Sequence, residues 1–225
     1  MSYKEQYLEL LQREFENASN KMLAARQKQY LKNHFEFLGL TSPIRRELQR
    51  PFLTKAYLPE KKTALKLVKI SWTLGKREYQ YFGQELFFKY ANQLDQKDLA
   101  LIEYLILNDS WWDTIDFIST KLVAQYFISF PEKRDEVIDR WISSGNLWLR
   151  RSAILFQLKY KDRMDIHFLV GIIERLIPSQ EFFINKAIGW VLREYAKTNP
   201  GWVQSYVETT PLSNLSKREA LKHYT

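Results

Sequence analysis

The chain lacks cysteine altogether, which excludes disulfide bonds, iron–sulfur clusters and thiolate zinc sites. Glycine and proline are scarce, with seven of each in 225 residues, and alternating β-branched segments are few, so β-strands are not expected. The chain has no glycine-rich nucleotide loop, and its histidines, His34, His167 and His223, lack the spacing of metal ligands. We therefore expect no metal and no nucleotide cofactor.

Long apolar runs are also absent. No stretch of eighteen apolar residues occurs, and the segment from Met1 to Phe15 is amphipathic, without the apolar centre of a signal peptide. We therefore expect neither export nor a membrane span. The lack of cysteine fits a reducing compartment, so a cytoplasmic protein is predicted.

Basic residues are in excess. The 34 lysines and arginines outnumber the 26 acidic residues, which gives a net charge of +8 and a pI near 9.4. This balance favours a polyanionic partner, with nucleic acid ahead of an anionic membrane surface. Basic pairs that could follow a phosphate backbone lie at helix starts or loops. They are Arg45-Arg46, Lys61-Lys62, Arg150-Arg151 and Lys217-Arg218.

A period of about 35 residues runs through the chain, which is the length of a helix pair. It is marked by tyrosines spaced by 36, 34 and 35 residues near the ends of amphipathic runs, namely Tyr90, Tyr126, Tyr160 and Tyr195. A second, shorter run follows each, at residues 96–107, 132–143, 165–176 and 201–208. The pattern predicts an all-α fold, an α-solenoid with one concave binding face. Chance spacing in a tyrosine-rich chain is the alternative.

Turn signals place the helix boundaries. Thr41-Ser42-Pro43 predicts a helix start, and Gly39 is expected to close the helix before it. The length of the chain would allow one extended domain or two compact ones. Because no long linker interrupts the helices, we predict a single domain over residues 1–225.

The segment from Ser110 to Asp116, with the sequence SWWDTID, combines two indoles and two carboxylates at a predicted helix start. Ser110 and Asp113 have the spacing of a capping box, so Asp113 is expected to be structural. Asp116 has no capping role. It is either a carboxylate that activates water or stabilises positive charge, or a solvated acid on an exposed face.

Helical spacing separates two faces of this predicted helix. The core face is expected to hold Trp111, Ile115, Ile118 and Leu122. Trp112, Asp116 and Ser119 repeat the same spacing on a second face, which packing does not require. The second face is therefore a candidate for chemistry.

A basic stripe surrounds another tryptophan near the C-terminal end. Lys186, Trp190, Arg193 and Lys197 are spaced four, three and four residues apart. A separate apolar stripe of Phe183, Ala187 and Val191 can provide the packing, so Trp190 is predicted to be exposed where aromatic rings meet bases and cations meet phosphates. A tryptophan at the core edge among solvated lysines is the alternative.

Four segments carry a resemblance to the AlkD family of bacterial alkylpurine DNA glycosylases over essentially the whole chain. They are residues 30–39 (YLKNHFEFLG), 110–116 (SWWDTID), 148–157 (WLRRSAILFQ) and 186–196 (KAIGWVLREYA). The resemblance implies HEAT-like helical repeats and hydrolysis of the N-glycosidic bond of cationic N3- and N7-alkylated purines, such as 3-methyladenine and 7-methylguanine. It also implies double-stranded DNA as partner, a lesion that stays stacked instead of being flipped, and hence no deep pocket. We expect a monomer that is associated with the nucleoid when it binds DNA.

Site residues follow from the same resemblance. Trp112 and Trp190 match the two active-site tryptophans of the family, and Asp116 matches the catalytic carboxylate. The DNA-binding and site-completing positions are Tyr30, Arg151 and Arg193, and the basic stripe adds Lys186 and Lys197. The alternative function is a non-catalytic α-solenoid that binds nucleic acid or an acidic protein.

Overall fold

A computed structural model describes residues 3–222, which form helices joined by short turns, with no β-strand among them. The all-helical prediction is confirmed. The helices form two compact units, which divide between Leu94 and Asp95. The single domain over residues 1–225 stays a prediction. None of the helices in the described range is long and apolar enough to cross a membrane.

The first unit is built around aromatic side chains. Its helices are α1 (Tyr3–Asn17), α2 (Lys21–Tyr30), α3 (Ser42–Gln49), α4 (Lys61–Ser71) and α5 (Arg77–Phe88). The rings of Tyr7, Phe52 and Tyr57 contact one another, with centroid distances of 5.6–5.7 Å. The Tyr7 hydroxyl donates to the backbone oxygen of Phe52 at 2.5 Å, so the buried polar atom is satisfied.

One boundary prediction in this unit is confirmed and one is wrong. Helix α3 begins at Ser42, with Thr41 at the N-cap position, as the proline-containing signal predicts. Gly39 does not close the preceding helix, because α2 already ends at Tyr30. There Lys32 and Asn33 adopt left-handed backbone angles, with φ of 56° and 61°, which turn the chain out of the helix.

The second unit contains the predicted shorter helices. Its helices are α6 (Leu99–Leu107), α7 (Trp112–Phe117), α8 (Ala124–Ser129), α9 (Arg134–Ser143), α10 (Leu147–Leu155), α11 (Ile166–Leu176), α12 (Phe182–Tyr195), α13 (Pro200–Thr209) and α14 (Asn214–Ala220). The four runs predicted from the sequence match α6, α9, α11 and α13 closely. Helix α10 packs against α7 and α12, and α12 packs against α14, while α9 packs against both α10 and α11. Alternate helices therefore form two layers within this unit.

The tyrosine period has a structural cause. The hydroxyl of Tyr126 donates to the backbone oxygen of Gln96 at 3.2 Å, and that of Tyr160 donates to Ala124 at 2.7 Å. In the first unit, Tyr90 makes the same kind of bond to Pro59. Tyr126 on α8, Tyr90 just after α5 and Tyr160 just after α10 thus each bond to backbone about one helix pair earlier, which is close to the predicted period. Tyr195, the fourth tyrosine of the period, packs edge-to-face on Trp202 instead, with a centroid distance of 5.6 Å.

Candidate active site

The helix that carries Asp116 begins one residue later than a capping box on Ser110 requires. Helix α7 starts at Trp112, with Trp111 extended at the N-cap position (φ −153°). The Ser110 hydroxyl instead donates to the backbone oxygen of Ile106 at 2.5 Å, at the end of α6. The predicted capping box is therefore wrong, and Asp113 lies in the first turn of α7.

Trp111 packs in an aromatic group with Trp148 and Phe183. Its ring centroid lies 5.6 Å from that of Trp148 and 5.2 Å from that of Phe183, in edge-to-face geometry. The core face is confirmed further along the helix, since Ile115, Ile118 and Leu122 are fully buried.

A π-helical segment, Ile118–Val123, connects α7 to α8 and begins two residues after Asp116. Two hydroxyls bond to backbone oxygens at the start of this wider turn. The Ser119 hydroxyl donates to the backbone oxygen of Ile115 at 2.6 Å, and the Thr120 hydroxyl donates to the backbone oxygen of Asp116 at 2.7 Å. Such bonds compete with the regular backbone ladder, and π-helical turns are frequent at functional sites. Ser119 is buried, and its hydroxyl oxygen also lies within hydrogen-bond distance of the Ser152 hydroxyl, at 2.9 Å, so it does not share an open face with Trp112 as predicted.

A cleft of about 350 Å³ lies beside this helix, entirely within the second unit. It is open to solvent, and side chains from α7, α10, α12 and α14, together with Lys222 just after α14, line it. The lining residues are Trp112, Asp116, Arg151, Phe182, Phe183, Lys186, Trp190, Arg193, Glu219 and Lys222.

Asp116 forms a two-point ion pair with Arg151. Arg151 Nε donates to Asp116 Oδ1 at 2.9 Å, and Nη2 donates to Oδ2 at 3.1 Å. The remaining terminal nitrogen, Nη1, donates to the backbone oxygen of Phe183 at 2.6 Å. Arg151 is only 3% exposed, so one buried guanidinium joins α7 to the start of α12. This arrangement fixes the direction in which the Asp116 carboxylate faces the cleft.

Burial raises the pKa of the Asp116 carboxyl above its ordinary value. The Arg151 guanidinium opposes that rise, and the negative charge of Asp113 adds to it. Desolvation makes the carboxylate more basic and strengthens its interaction with positive charge in the cleft. No group of three or more His, Asp or Glu side chains that could hold a metal ion occurs among the residues described.

Trp190 faces the same cleft from α12. The separate apolar stripe of this helix is confirmed for Ala187 and Val191, which are fully buried, whereas Trp190 is partly exposed. Phe183, the third predicted member, is half-buried and lines the cleft instead. The neighbours of Trp190, Lys186 and Arg193, both reach Glu219, with N–O distances of 2.6 and 2.8 Å. The hydrogen bond from Lys186 is the largest cause that lowers the pKa of the Glu219 carboxyl, and the hydrogen bond from Arg193 acts in the same direction.

Comparison with known proteins shows the family of the chain. The family model described as DNA alkylation repair enzyme matches residues 11–224. The chain belongs to the DNA alkylation repair enzyme family. It is also similar to a solved structure described as "Predicted DNA alkylation repair enzyme from Enterococcus faecalis", with 28% identity and a TM-score of 0.84 over 91% of this chain and 96% of that one. No curated protein matches it.

Most of the site residues predicted for this DNA alkylation repair enzyme come together. The cleft unites Trp112, Asp116, Arg151, Lys186, Trp190 and Arg193. Lys197 does not line the cleft, because it points to Glu194, with an N–O distance of 2.7 Å. Tyr30 ends α2 in the first unit and is 72% exposed. Its part in the site stays a prediction.

Sequence reasoning missed Glu219, Phe182 and Lys222, and it treated Phe183 only as core. Glu219 lies 26 residues after Arg193, and nothing in the local pattern of α14 separates it from a solvated acid. Phe183 holds Arg151 through its backbone oxygen, and no sequence pattern reveals a backbone contact of this kind.

Proposed function

We propose that this DNA alkylation repair enzyme is a monofunctional DNA glycosylase. Its substrates are cationic N3- and N7-alkylated purines in double-stranded DNA, such as 3-methyladenine and 7-methylguanine, and it acts as a monomer. The observation that carries the proposal is the oriented, partly desolvated Asp116 carboxylate in a cleft that also holds the indoles of Trp112 and Trp190.

The charges of the cleft fit a substrate that needs no acid catalyst. Both of its carboxylates, Asp116 and Glu219, hold basic partners, so neither is placed to protonate a leaving base. A purine alkylated at N3 or N7 already carries a positive charge and leaves as a neutral molecule. The remaining task is to stabilise the sugar and to direct water, which one carboxylate can perform.

The proposed reaction is a hydrolysis that consumes one water molecule and needs no other co-reactant. The bond between C1′ and the purine nitrogen breaks, its electron pair leaves with the base, and the sugar becomes an oxocarbenium-like cation. Asp116 stabilises this cation, and the lone pairs not used by Arg151 can orient a water molecule. That water attacks C1′ and passes a proton to the carboxylate, which leaves a base-free sugar in the DNA.

The two indoles attract the lesion through its charge. The faces of the Trp112 and Trp190 rings are negative, and a cation over such a face gains about 0.5–2 kcal/mol, depending on desolvation. The cleft is open to solvent, which suits a lesion that stays in the duplex better than an enclosed pocket for a flipped base would.

Asp116→Asn tests the assignment, because it keeps the shape of the side chain and removes its charge. Duplex DNA treated with dimethyl sulfate is incubated with excess enzyme, and released 7-methylguanine and 3-methyladenine are measured by chromatography. We expect release to fall by roughly 10²–10³-fold. Asp139→Asn is the matched control, since Asp139 pairs with Arg175 on the surface and does not line the cleft.

Two results would contradict the proposal. Equal release by Asp116→Asn and the parent would remove Asp116 from the reaction. A parent protein that binds methylated DNA fully but frees no base would leave the non-catalytic binding solenoid as the function.

A further inference from the structure

Trp190 lies between two cations in the cleft. Lys186 stands one helical turn before it and Arg193 one turn after it, and all three side chains line the same space. A positively charged base stacked on the Trp190 ring would therefore meet two like charges, which oppose its binding. A cleft for cationic bases needs a compensating negative charge at this place.

Glu219 provides that charge from α14. Its Oε1 accepts from Lys186 Nζ at 2.6 Å, and its Oε2 accepts from Arg193 Nη1 at 2.8 Å. The same arginine nitrogen donates to the backbone oxygen of Glu219 at 3.0 Å. Glu219 is only 7% exposed and Arg193 is largely buried, so solvent screens their contact weakly, whereas the half-exposed Lys186 is screened more.

Close packing of α14 on α12 sets the position of Glu219. A Cβ atom on Gly189 would lie 2.5 Å from Glu219 Cβ and 2.7 Å from the Ser216 backbone oxygen, so glycine is needed for this approach. The Ser216 hydroxyl donates to the backbone oxygen of Asn185 at 2.8 Å. These contacts hold the backbone of Glu219 against α12, within reach of both cations.

We propose that Glu219 is a specificity-determining residue, which lets the cleft accept cationic nucleobases by neutralising Lys186 and Arg193. The inference rests on the proposed glycosylase function and gives α14 a role in substrate choice. It has a second consequence, because the pairing also withholds both cations from DNA phosphates. Glu219 therefore favours methylated over unmethylated DNA in two ways.

Glu219→Gln tests the proposal with little change of shape. Release of 7-methylguanine is measured as kcat/KM, and affinities for methylated and unmethylated duplexes are measured over a series of salt concentrations. We expect kcat/KM to fall about tenfold or more. Affinity for the unmethylated duplex should rise, and its logarithmic salt dependence should steepen by about 1–2, since one or two cations become available to phosphates.

The chain offers a matched control. Glu194, on α12, holds Lys159 at 3.1 Å and Lys197 at 2.7 Å, but it does not line the cleft. Glu194→Gln should leave both 7-methylguanine release and the preference for methylated DNA unchanged. Adding Lys186→Met to Glu219→Gln should restore part of that preference, because one uncompensated cation is removed.

The outcomes separate a role in specificity from one in folding. Loss of affinity for both duplexes together with a lower melting temperature would make Glu219 merely structural and overturn the proposal. An unchanged preference for methylated DNA would overturn it as well. If the parent protein frees no base, the ratio of the two affinities still decides the role of Glu219, so the two proposals fail separately.

Discussion

Arg151 holds both carboxylate oxygens of Asp116, at 2.9 and 3.1 Å, across 35 residues of sequence. The pair thus links helices one repeat apart, α7 and α10. The resemblance implies that Arg151 contacts DNA beside the lesion, but its side chain is only 4% exposed and bonded on three nitrogens. We therefore propose that Arg151 acts mainly through Asp116, as a positioning residue.

Arg151→Lys keeps the charge and loses the two-point geometry. We expect the rate of base release from fully bound DNA to fall roughly tenfold or more, because the carboxylate is no longer held in one direction. Affinity for unmethylated duplex and its salt dependence should change little. Arg140→Lys serves as control, since Arg140 pairs with Glu103 outside the cleft. A salt dependence reduced by about 1, with an unchanged rate, would make Arg151 a phosphate contact instead.

The pH dependence of base release should report on Asp116. The proposed reaction needs the Asp116 carboxylate, and burial raises its pKa. Activity should therefore be lost as pH falls, at a higher pH than the ordinary aspartate pKa of about 3.9 would give. Asp113→Asn removes a nearby negative charge that contributes to the raised pKa of Asp116. The acidic limb of the pH–rate profile should therefore move to lower pH. Single-turnover rates, corrected for spontaneous depurination, measure the shift. A limb that moves to higher pH in Asp113→Asn would contradict this assignment.

Substitution of Trp112 or Trp190 should separate lesion recognition from general DNA binding. Phenylalanine keeps a weaker negative ring face and should retain part of the activity, whereas alanine should remove most of it. Affinity for undamaged duplex should stay near that of the parent in all variants, and fluorescence anisotropy can measure it.

Neutral lesions such as uracil and hypoxanthine should be poor substrates, because they carry no positive charge for the ring faces of Trp112 and Trp190 to attract. Efficient uracil release by the parent would refute the charge-based account.

A basic cleft in the first unit should bind DNA phosphates. Arg46, Arg50, Lys55 and Lys89 line a space of about 550 Å³, and the acid there, Glu85, already accepts from Arg45 at 2.8 Å. Arg45 itself is 5% exposed, so of the predicted pair only Arg46 lines this cleft.

Charge reversal tests this cleft. Arg50→Glu should weaken binding of any duplex and reduce the logarithmic salt dependence by about 1–2, while the release rate at saturation stays unchanged. Arg175→Glu, on α11, is the control. It makes the same change of charge at a residue that lines neither of the two clefts. Equal effects of the two reversals would show only the influence of net charge.

Local patterns were sufficient for most of the helices and, apart from Ser119 and Phe183, for the two faces of the segments that contain α7 and α12. Side chains three and four residues apart share a helix face in any helical protein, so Ile115 and Val191 could be assigned to the core, and Trp112 and Trp190 to the cleft. Boundaries were less predictable. At Ser110, the hydroxyl bonds to the end of α6, a competing partner that the spacing to Asp113 does not reveal.

The sequence by itself determined the helical fold, the repeat of about 35 residues and the two aromatic and charged faces, because all of these depend on contacts within one or two helices. Only the tertiary structure decided the partners of the charges. It buries Arg151 against Asp116, turns Lys197 toward Glu194 and brings Glu219 from α14 to Lys186 and Arg193. The strength and the role of each charge depend on which opposite charge it meets and how much water remains between them, and packing between helices sets both.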